Sequence, residues 1–194
     1  MSTSESSRPR YLVRTAEVPI SSLRHLVHPM DSTNHRYTFS LGDTTGMTKT
    51  GVHFCRLPPG ATSTTLHYHT NEDEWYYIID AGEGGTLITW EPANSQDAAG
   101  EERKAEPKEE QVKTGDFIGF KAGLENAPAH ALRAGSTEMV YLVGGSREEA
   151  DNSVYPLLGQ RLIIERSEGV LKSWSVEDKN LTPVTIPQPT VLKQ

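Results

Sequence analysis

Short apolar stretches alternate with glycine, proline and polar residues along most of the chain. Apolar or alternating runs of about four to eight residues, bounded by turn residues, are typical of β-strands. The strands predicted in this way cover residues 36–41, 51–57, 64–69, 75–79, 86–90, 117–120, 139–143 and 162–164, with a further one starting near His130. The pattern therefore predicts an all-β fold made of many short strands.

The chain has 194 residues, which suits one domain with additional arms. Residues 1–35 are predicted to form an N-terminal arm, with a short helix at 21–27 where two serines can cap its start. The barrel domain is expected to span residues 36–165. Within it, the polar segment 91–114 mixes both charge signs and has almost nothing to bury, so it is predicted to be an inserted, solvated loop. Residues 166–194 are expected to form a C-terminal arm.

Charge and cysteine content narrow the function classes. The formal net charge is −7, and an acidic chain repels phosphate backbones, so we expect no nucleic-acid partner. No apolar run approaches the roughly 18 residues that a membrane span needs, so we expect no membrane partner. The polar start does not look like a secretory signal, and Cys55 is a single cysteine that cannot form an intrachain disulfide. These features favour a reducing compartment, most simply the cytoplasm.

Two histidines and three acids lie close together in the sequence. His67 and His69 are two residues apart, so in a strand they share a face, and two imidazoles placed like this suit a borderline divalent metal. A short turn then brings in Glu74 at the start of the next strand, where antiparallel pairing could set its carboxylate beside the histidines. Glu72 and Asp73 are rival carboxylates. The cluster predicts a metal site.

Two segments of the chain resemble the sequence motifs of the cupin superfamily. The first motif places a glycine before His-x-His, a glutamate three or four residues later and then another glycine. Gly60, His67, His69, Glu74 and Gly82 follow this order, with one extra residue before His67 and one extra before Gly82.

The second cupin motif is matched less closely. It runs from a glycine through Pro-x-Gly to a histidine and an asparagine. Gly115 and the segment 121–123 fit, with lysine in place of proline, whereas His130 comes four residues late and no asparagine follows at the expected position. The resemblance covers about residues 48–145.

Membership of this superfamily would imply a single cupin jelly-roll barrel around a three-histidine, one-carboxylate centre. Carried over residue by residue, the metal ligands would be His67, His69, Glu74 and His130. Such a donor set suits one divalent transition metal, Mn, Fe, Ni, Co or Zn, and leaves a coordination position for a substrate.

The resemblance also suggests an activity. The first expectation is a metal-dependent oxidoreductase, such as a dioxygenase acting on a small organic molecule; a metal-dependent isomerase, lyase or decarboxylase, or a non-catalytic binding protein, is the alternative. Tyr76 should share a face with Glu74, so it is the candidate acid–base or orienting group. A homodimer assembled through strands in 36–57 is expected. The candidate pocket lining is mostly apolar and comprises Phe54, Tyr76, Ile78, Phe120, Leu132 and Tyr141.

Overall fold

The computed structural model describes residues 11–91, 106–123, 127–167, 170–182 and 184. Its strands are β1 (Arg24–Val27), β2 (His35–Ser40), β3 (Thr50–Leu57), β4 (Tyr68–His69), β5 (Glu74–Asp80), β6 (Thr86–Trp90), β7 (Lys108–Gln111), β8 (Phe117–Phe120), β9 (Ala129–Arg133), β10 (Met139–Ser146), β11 (Ala150–Tyr155), β12 (Gln160–Ser167) and β13 (Val170–Glu177). A short helix α1 (Leu41–Thr45) and 3-10 turns at Thr15–Glu17, Ile20–Ser22 and Asp178–Asn180 complete the described elements. The predicted all-β fold is confirmed.

The strands form three antiparallel sheets. The largest has the order β1-β2-β3-β10-β5-β8, the second β13-β12-β11-β4 and the third β7-β6-β9. Buried residues of β3, β5 and β10 pack with Leu132 of the third sheet into one hydrophobic cluster. Alternate residues of a strand point to opposite faces, so Cys55, Tyr76, Ile78 and Tyr141 fill the interior while their neighbours face outward. The result is a β-barrel of cupin type.

The segment between β3 and β5 joins two of the sheets. Thr62 and His67 form isolated bridges with Arg133 and His130 of β9, in the third sheet. Directly afterwards, His69 pairs with Ser153 of β11, in the second sheet. The strand predicted at 64–69 is therefore shorter than expected, because the chain passes from one sheet to another within three residues.

Several expected arms and loops contain strands. The helix predicted at 21–27 is wrong: after the 3-10 turn at Ile20–Ser22 the chain forms β1, which pairs with β2. Strand β7 lies within the predicted loop 91–114, and β13 lies within the predicted C-terminal arm. Each of these strands is hydrogen-bonded to a neighbour: β1 to β2, β7 to β6 and β13 to β12. Pairing with that neighbour determines that these short polar segments form strands, more than their intrinsic propensity does.

Some of these expectations concern residues that the structure does not describe. The unstructured start at 1–10, most of the inserted loop at 92–105, and the end of the C-terminal arm at 185–194 lie outside the described residues. The proposed division into an N-terminal arm, a barrel and a C-terminal arm stays a prediction. None of the helices in the described ranges has the length and apolarity needed to cross a membrane.

Candidate metal centre

Three histidines and one glutamate meet inside the barrel from three different sheets. His67 lies directly opposite His130, with the His130 backbone N–H donating to the His67 carbonyl over 2.9 Å. His69 follows on β4, and Glu74 begins β5, where it pairs with Gly145 and Phe120. The four side chains are therefore held by strand pairing rather than by loops, which favours a rigid site.

The imidazole nitrogens converge on one carboxylate oxygen. Glu74 Oε2 lies 2.7 Å from His130 Nε2 and 3.9 Å from the Nε2 atoms of both His67 and His69. Candidate ligand atoms of His67, His69 and Glu74 all lie within 4.8 Å of one another. His130 joins this group through its short contact with Glu74. The four side chains that the sequence predicted as ligands are thus brought together.

The other ring nitrogen of each histidine faces an acceptor. His67 Nδ1 lies 3.0 Å from the Thr65 carbonyl, and His130 Nδ1 lies 3.0 Å from the Pro128 carbonyl. His69 Nδ1 lies 2.6 Å from Asp151 Oδ2. His130 faces an acceptor on both sides, since its Nε2 also lies 2.7 Å from Glu74 Oε2. A neutral imidazole carries its proton on the nitrogen that faces an acceptor, so the Nδ1–H groups of His67 and His69 donate outward and their Nε2 atoms present lone pairs to the centre. This tautomer is the one that metal-binding histidines adopt.

This arrangement fits a cation. The lone pairs of His67 and His69 face the Glu74 carboxylate oxygen when these two histidines are neutral, and such groups repel unless a positive charge lies between them, either a metal ion or a proton on an imidazole. Imidazole and carboxylate together suit divalent transition metals. The group of side chains is therefore compatible with a divalent metal ion, whose identity the donor set alone does not fix.

Burial and mutual charge act strongly on this group. Burial lowers the pKa of His67 to about 3, so that ring stays neutral. Burial alone would raise the pKa of Glu74, but the hydrogen bond and charge of His130, with the charges of His69 and His67, bring that pKa below its usual range. Burial, the largest single effect, would also lower the pKa of His69, but the hydrogen bond to Asp151 and the charges of Glu74, Asp151 and Glu72 together outweigh it and raise that pKa.

Aromatic rings fix the position of His130. The Phe120 ring stacks on it with centroids 3.6 Å apart and planes within 1° of parallel. Tyr76 meets the same imidazole edge-on at 5.7 Å and donates its hydroxyl proton to Glu74 Oε2 over 3.3 Å. Burial, followed by the charge of Glu74, raises the pKa of Tyr76 well above its usual range, so the phenol keeps its proton. Tyr76 therefore touches the predicted ligand, on the face that the sequence predicted.

The rival carboxylates are engaged elsewhere. Glu72 forms an ion pair with Arg166 and accepts a hydrogen bond from the Glu148 backbone N–H over 2.9 Å. Asp73 accepts from the Ala122 backbone N–H over 2.8 Å. Glu72 does come close to His69 and Asp151, which form with it a second group of possible ligands that does not include Glu74.

Sequence reasoning missed two residues that contact the histidines. Asp151 is 1 % exposed and lies on β11 beside His69. Tyr155, at the end of the same strand, stacks on His67 with centroids 5.4 Å apart. Nothing near them in the sequence carries a signal, although the alternation on β11 puts Asp151, Ser153 and Tyr155 on one face.

The centre opens into a cavity of about 1100 Å³. The expected apolar lining is only partly present: Tyr76 and Tyr141 contact the cavity, whereas Ile78 and Leu132 are fully buried core residues and Phe120 is covered by His130. Charged and polar side chains dominate the remaining wall. The charged ones carry both signs: the cations are Arg24, Arg36, Lys49, Arg147 and Arg166, and the carboxylates besides Glu74 are Asp43, Glu72, Asp73, Glu148 and Glu149.

Solved structures with the same architecture include two of high coverage. A protein described as a candidate sugar phosphate isomerase from Acidithiobacillus ferrooxidans is 28% identical, with a TM-score of 0.65 over 90% of this chain and 97% of its own. A sugar phosphate isomerase from a cupin superfamily, from Silicibacter pomeroyi, is 21% identical, with a TM-score of 0.61 over 87% of this chain and 96% of its own. No protein-family model and no curated protein matches the sequence. In its sheet topology and in the four converging side chains, the chain has the fold of these solved cupin structures and is similar to them.

Proposed function

We propose that this protein is a metal-dependent isomerase acting on a small, hydroxylated, anionic substrate of the sugar phosphate class. The observation that carries the proposal is the convergence of three Nε2 atoms on Glu74 Oε2 beside a cavity whose wall includes Arg36. The description of the Acidithiobacillus protein, which matches almost its full length to this chain, supports the substrate class. No feature of the described residues specifically favours the oxidoreductase or dioxygenase reading.

The ligands in this proposal are His67, His69, Glu74 and His130. A divalent ion held by them would polarise the carbonyl and hydroxyl oxygens of a bound hydroxy-carbonyl compound, which acidifies the adjacent C–H bond. Such an isomerisation moves a proton between neighbouring carbons and another between their oxygens. A site for it needs one group that accepts the C–H proton and returns it to the neighbouring carbon, and another that donates a proton to the oxygen.

Tyr76 is the proposed acid–base or orienting group. Its buried phenol remains protonated and donates to Glu74, so it holds one carboxylate oxygen in a fixed direction and offers a proton beside the ligands. Asp151 orients His69 from outside by accepting its Nδ1 proton.

Elemental analysis of the purified protein and a panel of aldose and ketose phosphates test this function. We expect one divalent transition metal per chain and interconversion of an aldose–ketose pair, followed by NMR. His67→Ala should lose both the metal and the turnover. Arg56→Met is the matched control, because Arg56 is on the outer face of β3 and pairs with Glu138 there. Oxygen uptake with organic substrates, together with no isomerisation, would contradict the proposal in favour of a dioxygenase.

A free edge of the largest sheet bears on how the protein assembles. Among the described strands, β1 pairs only with β2, so one of its edges is free. Exposed apolar side chains cluster around it at Ile20, Val27 and Tyr37. We propose that this edge joins a second copy in a homodimer. We also propose that the protein resides in the cytoplasm, a reducing compartment that suits the free thiol of Cys55. A molar mass in solution equal to one chain would contradict the dimer.

A further inference from the structure

Two polar groups in the cavity wall lack partners. Arg36 on β2 donates from Nη1 to the Ser63 carbonyl over 2.6 Å, but its Nε is buried and has no hydrogen-bond partner among the described residues. The hydroxyl of Tyr141, a residue that is 1 % exposed, is also buried without a hydrogen-bond partner there. Both residues line the cavity that contains His67, His69 and Glu74. Buried polar groups are nearly always paired, so two orphans at one place need an explanation.

Strand register brings the two residues to the same inner face. Thr38 pairs with Cys55, and Cys55 pairs with Tyr141 on the next strand. Arg36 is two residues before Thr38 and so shares its face. Among the ionisable neighbours of Arg36, Tyr141 has the largest electrostatic effect, followed by Cys55 and Tyr76. The Cys55 thiol interacts with both of them, but a thiol is only a weak hydrogen-bonding group and leaves most of their hydrogen-bonding capacity unused.

The other arginines deep in this cavity already have carboxylate partners. Arg147 pairs with Asp43 over 2.7 Å, and Arg166 pairs with Glu72. Arg36 forms no ion pair within 4.0 Å among the described residues, although an unpaired buried cation is costly. Its bond to Ser63 ties it to the segment that leads to His67. The Arg36 guanidinium is thus held near the candidate metal centre, and no carboxylate of the described residues forms an ion pair with it.

We infer that Arg36 and Tyr141 form the binding subsite for the anionic oxygen group of the substrate, a phosphate or a carboxylate. One oxyanion would accept hydrogen bonds from both orphan donors and neutralise the guanidinium at the same time. The inference deepens the proposed function by naming the residues that select an anionic substrate at the same cavity. It also predicts that replacing Arg36 does not lower the stability of the protein when no anion is bound.

The test is calorimetric titration of inorganic phosphate, and separately of acetate, into the full-length protein as isolated. Arg36→Met should weaken the binding of at least one of these anions by about tenfold to a hundredfold, the range of a lost charge-assisted hydrogen bond. Tyr141→Phe, which removes only the hydroxyl, should weaken it by severalfold. Arg56→Met, on the outward face of the neighbouring strand, should bind both anions as the unchanged protein does. Dependence of acetate alone on Arg36 would identify the group as a carboxylate, and dependence of phosphate as a phosphate.

Repeating the titrations after chelator treatment separates Arg36 from any bound metal. The effect of Arg36→Met should persist in the treated protein, and its melting temperature without anion should equal or exceed that of the unchanged protein. Equal affinity of Arg36→Met and the unchanged protein for both anions would overturn the inference, as would loss of the effect after chelation. If Arg36→Met does not fold, Arg36→Lys and Tyr141→Phe decide, since unchanged affinity in both overturns it equally. Binding through Arg36 without any isomerisation would contradict the proposed function alone.

Discussion

His69 and Asp151 are joined by a 2.6 Å hydrogen bond although they lie 82 residues apart in the chain. Asp151 Oδ1 is held in turn by the Asn71 backbone N–H over 2.8 Å. The backbone of Asn71 therefore holds the Asp151 carboxylate in place, and the carboxylate in turn orients the His69 ring. Its position determines which nitrogen of His69 carries the proton, and so which nitrogen can bind a metal.

Replacing Asp151 with asparagine should weaken metal binding without abolishing it. Partners of this kind typically contribute about tenfold to a hundredfold in metal affinity. The dissociation constant, measured by competition with a chelator of known affinity, checks the expected increase. Asn180→Ala, at an exposed position far from the cavity, provides the control. An unchanged constant in Asp151→Asn would mean that the hydrogen bond does not orient the ring.

Three single carboxylate substitutions should separate the rival ligands. Glu74→Gln is expected to lose the metal during purification, since it removes the anionic oxygen on which three imidazoles converge. Asp73→Asn and Glu72→Gln should retain it, because those carboxylates bind Ala122 and Arg166. Metal per chain is the measurement. Retention in Glu74→Gln with loss in either of the others would reassign the carboxylate ligand.

Arg166→Met should destabilise the fold by leaving Glu72 unpaired. The Glu72 side chain is only 8 % exposed, and its burial already raises its pKa despite the charge of Arg166. Breaking a buried ion pair lowers the free energy of unfolding by about 3 kcal/mol or more. We expect the lower value here because Arg166 is partly exposed. Denaturant unfolding should show this loss, and Arg166→Met combined with Glu72→Gln should recover much of it. A double variant no more stable than the single one would argue against unpaired charge as the cause.

Gly144→Ala should be disruptive although it adds only one methyl group. A Cβ at this position would collide with the Trp75 ring and the Gly51 carbonyl on the two neighbouring strands. Overpacking of this kind costs about 1–3 kcal/mol or more, and it would also displace the residue next to Glu74. Gly119→Ala is the control, since its Cβ would meet only the Phe117 side chain at 3.4 Å. Equal melting temperatures for the two variants would contradict the packing argument.

Asp43 should stabilise the fold at neutral pH and not at low pH. The hydrogen bond from Ser40, and then Arg147, lower the pKa of Asp43 below its ordinary 3.8. A depressed carboxyl pKa adds stability above the unfolded-state value, and the contribution disappears as pH falls through the folded-state value. Asp43→Asn should therefore melt lower than the unchanged protein at pH 7, with the gap closing well below pH 3.8. A constant gap across this range would exclude ionisation as its source.

The local sequence determined most of the strands and the predicted ligands. Alternation predicts residues 86–90 and 117–120 as β6 and β8, since strands packed on one core carry their own pattern. The spacing of His67 and His69, with Glu74 opening the next apolar strand, likewise contains the information for three ligands within eight residues. The helix expected at 21–27 failed because pairing with β2, invisible to local propensity, forms β1 there.

Tertiary structure alone decided which distant groups complete the site. His130 reaches Glu74 because β9 crosses opposite His67, and Asp151 reaches His69 because β11 pairs with β4. Arg36 and Tyr141 meet only through the register of three strands. Sequence fixes which side chains a strand presents inward, whereas contacts between strands far apart in the chain depend on sheet order and register, and these emerge only when the whole barrel closes around its core.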